Sequence, residues 1–211
     1  MKSGADINAQ NSNGNTPLFT AVQTLFHNKD SRCQDLINAL VSFGADINAT
    51  NSAGETPLFA ALLTPFPNDD NSSQDLINAL VSFGADTNVI NNAGRTLLHA
   101  AADSFSCNSN VLRTLKNFGI SVNSRDNEGL TPLHNVIQRF SDVVIQSWRK
   151  RGQWYQPEKE LLDNIKELVA LGAEVNAGDK QGNTPLHWAA RQTDNANMVE
   201  VLCKLGAKME A

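Results

Sequence analysis

The sequence predicts an all-α protein, an α-solenoid of about five helix-turn-helix repeats joined by β-hairpin turns, and three observations predict it. Residues 34–46 read QDLINALVSFGAD, and residues 74–86 read QDLINALVSFGAD again. A second phrase keeps the same phase, Asn15-Thr16-Pro17-Leu18-Phe19 and then Glu55-Thr56-Pro57-Leu58-Phe59, with fainter copies from Arg95-Thr96, Leu130-Thr131 and Asn183-Thr184. The turn glycines Gly14, Gly54, Gly94, Gly129 and Gly182 lie 40, 40, 35 and 53 residues apart. Self-similarity at periods of this size is the mark of stacked repeats.

Each element follows from its residues. Asn or Asp, two small or polar residues and then Gly is turn chemistry, the glycine taking the φ > 0 position at a hairpin tip. The motif Thr caps a helix through its hydroxyl, and the following Pro sits at the first helical position, where its missing N–H costs nothing. In the first repeat Leu18, Ala21, Val22 and Leu25 then recur at helical spacing. The second helix repeats the period with Leu36-Ile37 and Leu40-Val41 and ends at Gly44, a C-terminal capping glycine. Two short helices cannot bury both their faces alone, so stacking must supply the core. The expected repeats are 11–50, 51–90, 91–125, 126–178 and 179–211, forming a single domain over 1–211. Residues 1–10 read as the tail of an incomplete preceding repeat. Its helices would be missing, either because an upstream unit has been trimmed or because the gene starts there. Leu18, Phe19, Val22, Leu25 and Phe26 would then stand partly bare on one side.

With these residues in hand, the chain resembles the ankyrin-repeat family over nearly its whole length. The family unit runs D-x-x-G-x-T-P-L-H-x-A-A, a second helix, then G-A-D-V-N-A. The fifth copy keeps it best, with Asp179, Gly182, Thr184-Pro185-Leu186-His187-Trp188-Ala189-Ala190, a helix through Met198–Leu205, and Gly206-Ala207. Phe19 and Phe59 replace the family His in the first two copies, and Leu97 replaces the Pro in the third, which ends Gly119-Ile120-Ser121-Val122-Asn123. The resemblance implies that His99, His134 and His187 bond backbone between neighbouring repeats. It also implies partner contacts at Asn13, Asn15, Ala53, Glu55, Asn92, Arg95, Glu128, Leu130, Arg139, Gln181, Asn183 and Arg191. Trp188 would lie on the concave first-helix surface, either in inter-repeat packing or as a groove contact. The stretches from Leu40 to Asn48 and from Leu168 to Asn176 look like asparaginyl-hydroxylase sites; the alternative is that Asn48 and Asn176 simply close the turn.

From the motif Thr to the glycine closing the second helix, the family spacing is exceeded by 7, 7, 2, 20 and 1 residues. All the insertions fall between the two helices of a repeat. The short ones read as tolerated loop drift or as a binding side. In the longest, Ile137, Phe140, Val144 and Trp148 continue the apolar stripe, and Pro157 opens a return helix bearing Leu161, Ile165, Leu168 and Val169. A helical finger over 138–160 is expected, projecting about 13 Å if each helix gains some nine residues. Its tip gathers Trp148, Arg149, Lys150, Arg151, Trp154 and Tyr155. Either these are interface anchors, since Trp, Tyr and Arg dominate hot spots, or the tryptophans cap the finger's own small core while the cations complement the helix dipole.

Composition narrows the function. The 211 residues carry a net charge of −5, and residues 1–90 hold three basic and nine acidic side chains against fourteen and thirteen in 91–211. That balance argues against a nucleic-acid surface. Asparagine is abundant, 25 residues, pointing to many turns. No apolar run reaches the ~18 residues of a membrane span. Cys33, Cys107 and Cys203 lie far apart, suggesting neither disulfide framework nor zinc site, with Cys203 expected in the core. The three motif histidines stand one per repeat, about 10 Å apart, too far for one metal. His27 is a lone loop histidine, and Asp69-Asp70 reads as a solvated turn. The expectation is therefore a non-enzymatic scaffold without cofactor, metal or small-molecule substrate, monomeric, binding an unidentified partner protein. The compartment is cytoplasmic, or a host cell if the asparagine-rich, near-duplicate repeats signify a bacterial effector. The alternative is the targeting module of a larger enzyme or toxin.

Overall fold

The computed structural model describes residues 4–25, 32–63, 72–104, 108–139, 157–191 and 196–208. Among these the chain forms ten helices and no strand. They run in pairs: α1 (Pro17–Leu25) with α2 (Arg32–Ser42), α3 (Pro57–Leu63) with α4 (Ser72–Ser82), α5 (Leu97–Ala102) with α6 (Ser109–Asn117), α7 (132–139) with α8 (Pro157–Ala170), and α9 (Pro185–Ala190) with α10 (Ala196–Lys204). The first compact unit carries α1–α4 and the second α5–α10.

The first helix of each pair starts directly after its Thr, at Pro in four repeats and at Leu97 in the third. Phe19 N–H donates to Thr16 Oγ1 at 3.3 Å, and Phe59 N–H to Thr56 Oγ1 at the same distance. At α5 and α9 the histidine closes the box from the other side, because its ring accepts from the backbone N–H of Thr96 or Thr184. The second helices stop at glycines in the left-handed region. Gly44 has φ +92°, its N–H donates to Val41 O at 3.0 Å, and Ala45 N–H reaches Leu40 O at 2.9 Å, which satisfies two otherwise orphaned carbonyls.

In the first unit α1 packs against both α2 and α3, and α3 against α4. Leu18, Phe19 and Val22 are therefore fully buried, contrary to the expectation that the opening repeat leaves them bare. The open side belongs to α2 instead. The duplicated segment makes this plain: Leu76 in α4 is 1% exposed, whereas its counterpart Leu36 in α2 is 40% exposed. Likewise Leu80 is buried and Leu40 only half-buried. A groove of about 600 Å³ runs beside Leu36 and Leu40, bounded by Pro17 and Ala21 of α1 and by the turn residues Ala9 and Asn15. Leu25 has no described side chain, and Phe26 lies outside the described residues.

In the second unit α5 packs on α6, α6 on α8, and α9 on α10. Leu98, Leu112, Leu133, Ile137, Ile165, Leu168, Met198 and Leu202 form its core. The return helix begins at Pro157 and runs 14 residues, burying Leu161, Ile165 and Leu168 while Val169 is half-buried. A bidentate pair ties α6 to α8, with Arg113 Nε and Nη2 lying 2.6 and 2.7 Å from the two Glu167 oxygens. Cys203 is half-buried rather than core, on α10 beside the buried Leu202. The Cys33 side chain, Cys107, His27, Asp69, Asp70, the short inserts and the finger tip lie outside the described residues.

Candidate interaction surface

Each turn is closed by one side chain at its first position. Asn51 Oδ1 accepts from Ala53 N–H and Glu55 N–H, both at 2.9 Å. Asn11, Asp126 and Asp179 do the same for their own turns. The backbone donors of the tip are thus consumed, and the tip residues Asn13, Ala53, Glu128 and Gln181 are exposed, whereas Asn92 Nδ2 donates to Ser52 O of the preceding turn at 3.1 Å. Successive turns then sit on one another. Ser52 N–H donates to Asn13 O and Asn92 N–H to Ala53 O, each at 3.0 Å, and Lys180 N–H to Glu128 O in the second unit at 3.0 Å. At Gly54, with φ +76°, a Cβ would stand 2.5 Å from Asn92 Oδ1, so conformation and space both require glycine.

A second set of asparagines fixes the register. Asn48 Nδ2 donates to Gly84 O at 3.1 Å while its Oδ1 accepts from Asp86 N–H at 2.8 Å. Asn8 makes the same two bonds to Gly44 and Asp46, Asn123 to Gly172 and Glu174, and Asn176 to Gly206 and Lys208. Each amide therefore reaches the end of the following helical pair. Four of the 25 asparagines serve this ladder.

The histidines serve the same end. His99 is fully buried, its Nδ1 accepting from Thr96 N–H at 3.1 Å, which leaves Nε2–H to donate to Leu130 O at 3.0 Å. His134 repeats this with Thr131 and with Asn183 O at 3.2 Å. Burial pushes both pKa values below 6.5, against the raising influence of those carbonyl bonds. His187, exposed, keeps its Nδ1 contact to Thr184 at 2.8 Å. Among the described residues no three ligating side chains converge on a point where a metal ion could sit.

Charge collects on the first-helix face of the second unit. Arg95 Nη2 lies 2.9 Å from Asp103 Oδ2 and donates to His99 O at 3.3 Å. Arg139 Nη1 lies 3.9 Å from the other Asp103 oxygen. Their side chains are 24% and 15% exposed. Two repeats on, Arg191 Nη2 donates to Asn183 Oδ1 at 3.2 Å across the same interval of eight residues, and its guanidinium stacks 5.2 Å above the Trp188 ring.

Trp188 is half-buried. Its indole N–H donates to Asp179 Oδ2 at 3.0 Å within its own repeat. Burial alone would push the Asp179 carboxyl up. The bonds it accepts from the Asn183 side chain and backbone, the Trp188 indole and the Gln181 backbone outweigh this and hold it below the ordinary value.

The residues carried over as partner contacts thus divide. Asn13, Glu128 and Arg191 are exposed. Asn15, Arg95 and Arg139 are partly buried, as is Glu55, whose Oε2 accepts from Asn51 Nδ2 at 3.1 Å. Trp148, Arg149, Arg151, Trp154 and Tyr155 lie outside the described residues. The sequence reading missed the inter-repeat asparagine ladder, although GADINA at 44–49 and GAEVNA at 172–177 place Asn at one fixed distance after the capping glycine. It also missed the pairing across eight residues, for which no simple motif exists.

Comparison with known proteins agrees with this geometry. A family model described as ankyrin repeats (3 copies) matches residues 69–145 and 158–211, and one described as ankyrin repeats (many copies) matches residues 24–64. A 41-residue stretch is 46% identical to the acyl-CoA-binding domain-containing protein 4 of Oryza sativa subsp. japonica, covering 19% of this chain and 12% of the rice protein.

Proposed function

The chain belongs to the ankyrin-repeat family, and from that premise we propose that it binds a partner protein through its turn tips, its first-helix faces and the finger over 138–160. The observation that carries this reading is the division of labour in the turns. Asn11, Asn51, Asp126 and Asp179 close them, while Asn13, Ala53, Glu128 and Gln181 at the tips stay exposed. The buried histidines are committed through both ring nitrogens to Thr caps and to carbonyls of the next repeat. That commitment supports binding by surface complementarity rather than proton-transfer chemistry. The finger tip, with Trp148, Arg149, Arg151, Trp154 and Tyr155, has the composition of an interface anchor. A secreted effector delivered into a host cell fits the asparagine-rich, near-duplicate repeats.

Affinity capture from a cell extract tests the reading with three proteins: the wild type, a tip variant (Asn13→Ala, Glu128→Ala, Gln181→Ala) and a finger variant (Trp154→Ala, Tyr155→Ala). A partner held by the wild type is expected to be depleted by one or both variants while their melting temperatures stay at the wild-type value. Full retention by both refutes the assignment. A second reading, the targeting module of a larger enzyme or toxin, is favoured by one observation. The similar stretch of the rice protein is a small part of a much longer chain.

A further inference from the structure

We propose that the exposed face of α2 is the seat of a basic amphipathic helix from a partner protein. The inference adds a surface to the turn tips, first-helix faces and finger, and rests on the binding-module reading only in taking the partner to be a protein. Leu36, Leu40 and Phe43 stand at i, i+4 and i+7. The bond from Phe43 N–H to Ala39 O at 3.0 Å keeps Phe43 in helical register, so the three share one stripe. Leu36 is 40% and Phe43 78% exposed, and the groove of about 600 Å³ runs beside Leu36 and Leu40. In the identical segment of α4 the stripe is covered, with Leu76 and Leu80 buried and Phe83 half-buried. An apolar stripe at this spacing beside an open groove matches a second helix laid along it, whose own anchors recur at the same intervals. The large apolar residues that stand exposed among those described, Leu36, Phe43, Leu63 and Ile90, all belong to the first unit.

Charge selects a basic occupant. Asp35 adjoins Leu36, and Asp46 lies three residues past Phe43. Asp6 is drawn to the same end, because Asn8, two residues on from it, bonds Gly44 O and Asp46 N–H. All three carboxylates are exposed, and the ion pairs of the described residues all lie in the second unit. Asp6 and Asp46 each give one oxygen to the backbone N–H two residues on and keep the other open. The place that Asp46 and Asp86 hold after the capping glycine is taken in the second unit by Ser121, Glu174 and Lys208, so the acidic edge belongs to the first unit. Carboxylates at both ends of the stripe also disfavour a second copy. Antiparallel pairing of two α2 faces would set Asp35 of one copy near Asp46 of the other, whereas lysines or arginines flanking a partner's apolar stripe would meet opposite charge.

The test is fluorescence anisotropy on the full chain at 25 and 150 mM salt, with a labelled designed helix of leucine, alanine and lysine whose leucines recur at i, i+4, i+7 and i+11. One comparison probe carries glutamate for lysine. The other has the same composition in alternating order, which cannot form the stripe. The lysine helix is expected to bind, more weakly at the higher salt, and the comparison probes not to bind. Phe43→Glu and Phe43→Lys remove the same exposed ring. The first should weaken binding about fivefold, and the second, which also sets a cation against the helix, about thirtyfold. Damage to the fold would not distinguish the two in this way. Phe83→Lys, the same change in the covered copy, should weaken binding about twofold at most. Melting curves accompany each variant, and should Phe43→Lys fail to fold, an expected threefold loss in Asp46→Asn decides the matter. Sedimentation velocity of the chain alone should show no dimer that Phe43→Glu abolishes. Absence of binding by the lysine helix, equal binding of either comparison probe, equal losses in Phe43→Glu and Phe43→Lys, equal losses at Phe43 and Phe83, or such a dimer each overturns the proposal. The capture experiment with tip and finger variants leaves α2 unaltered, so failure here and failure of the module reading are distinguishable.

Discussion

The duplicated QDLINALVSFGAD segment lets burial be weighed with local sequence held constant. Leu36→Ala and Leu76→Ala remove the same side chain from the same helical sequence, so any change in helix propensity cancels in the comparison. Leu76 is 1% exposed and packed on all sides, and its truncation carries both the transfer loss and a cavity, about 3 kcal/mol. Leu36 is 40% exposed beside an open groove. Full burial of a leucine contributes about 2 kcal/mol, so three-fifths of it amounts to about 1 kcal/mol, and the open groove adds no cavity cost. The difference of about 2 kcal/mol should appear in urea titrations followed by circular dichroism. With a slope of ~2 kcal/mol/M, the Leu76→Ala midpoint should fall about 1 M below that of Leu36→Ala, with slopes unchanged. Equal midpoints, or a larger loss at Leu36, would refute the packing described for α2 and α4.

Other consequences can be checked in the same way. His99 and His134 have folded-state pKa values below 6.5, so on acidification the unfolded chain takes up their protons first. Their contribution is present above pH 6.5 and is lost as pH falls from there through the folded-state values, at up to ~1.4 kcal/mol per pH unit for each histidine. His99→Phe with His134→Phe, the residue found at positions 19 and 59, should flatten that part of a stability–pH profile. Gly54→Ala should cost more than Gly182→Ala, because both have positive φ but only the added Cβ at 54 meets the next turn. The expected losses are about 3 and about 1 kcal/mol, read from thermal melts. Asn48→Ala deletes two bonds to the following helical pair and should cost about 1 kcal/mol, with faster hydrogen exchange at the Asp86 amide.

Helix starts and stops were legible in the sequence because they depend on neighbours along the chain. Thr16 and Thr56 mark starts, and Gly44 and Gly84 mark stops, through bonds that close within a single turn, and Pro157 marks a start because its fixed φ suits the first helical position. The buried stripe of α8 was legible for the same reason. Contacts between distant residues were not. The burial of Leu18, Phe19 and Val22 depends on α3 lying against α1, which no periodicity in α1 reveals. The motif fixes the place of Trp188 on the helix but does not reveal the hydrogen bond of its indole. Its partner Asp179 already serves the turn, and a carboxylate with spare acceptor capacity drew the indole inward. The exposure of Asn13, Glu128 and Arg191 was legible from their motif positions, whereas the ion pair of Asp103 was not, since it forms through a side chain that crosses the helix to Arg95.

The way the turns are closed separates two demands that most surfaces must satisfy with the same atoms. Fidelity of the loop is written in the leading Asn or Asp, in the glycine at positive φ, and in main-chain groups common to every residue type. The residue before the glycine, as at Asn13, Ala53, Glu128 and Gln181, stands outside that frame and is exposed. Such a residue can drift, be exchanged among copies or be recombined while the chain inherits an unaltered frame.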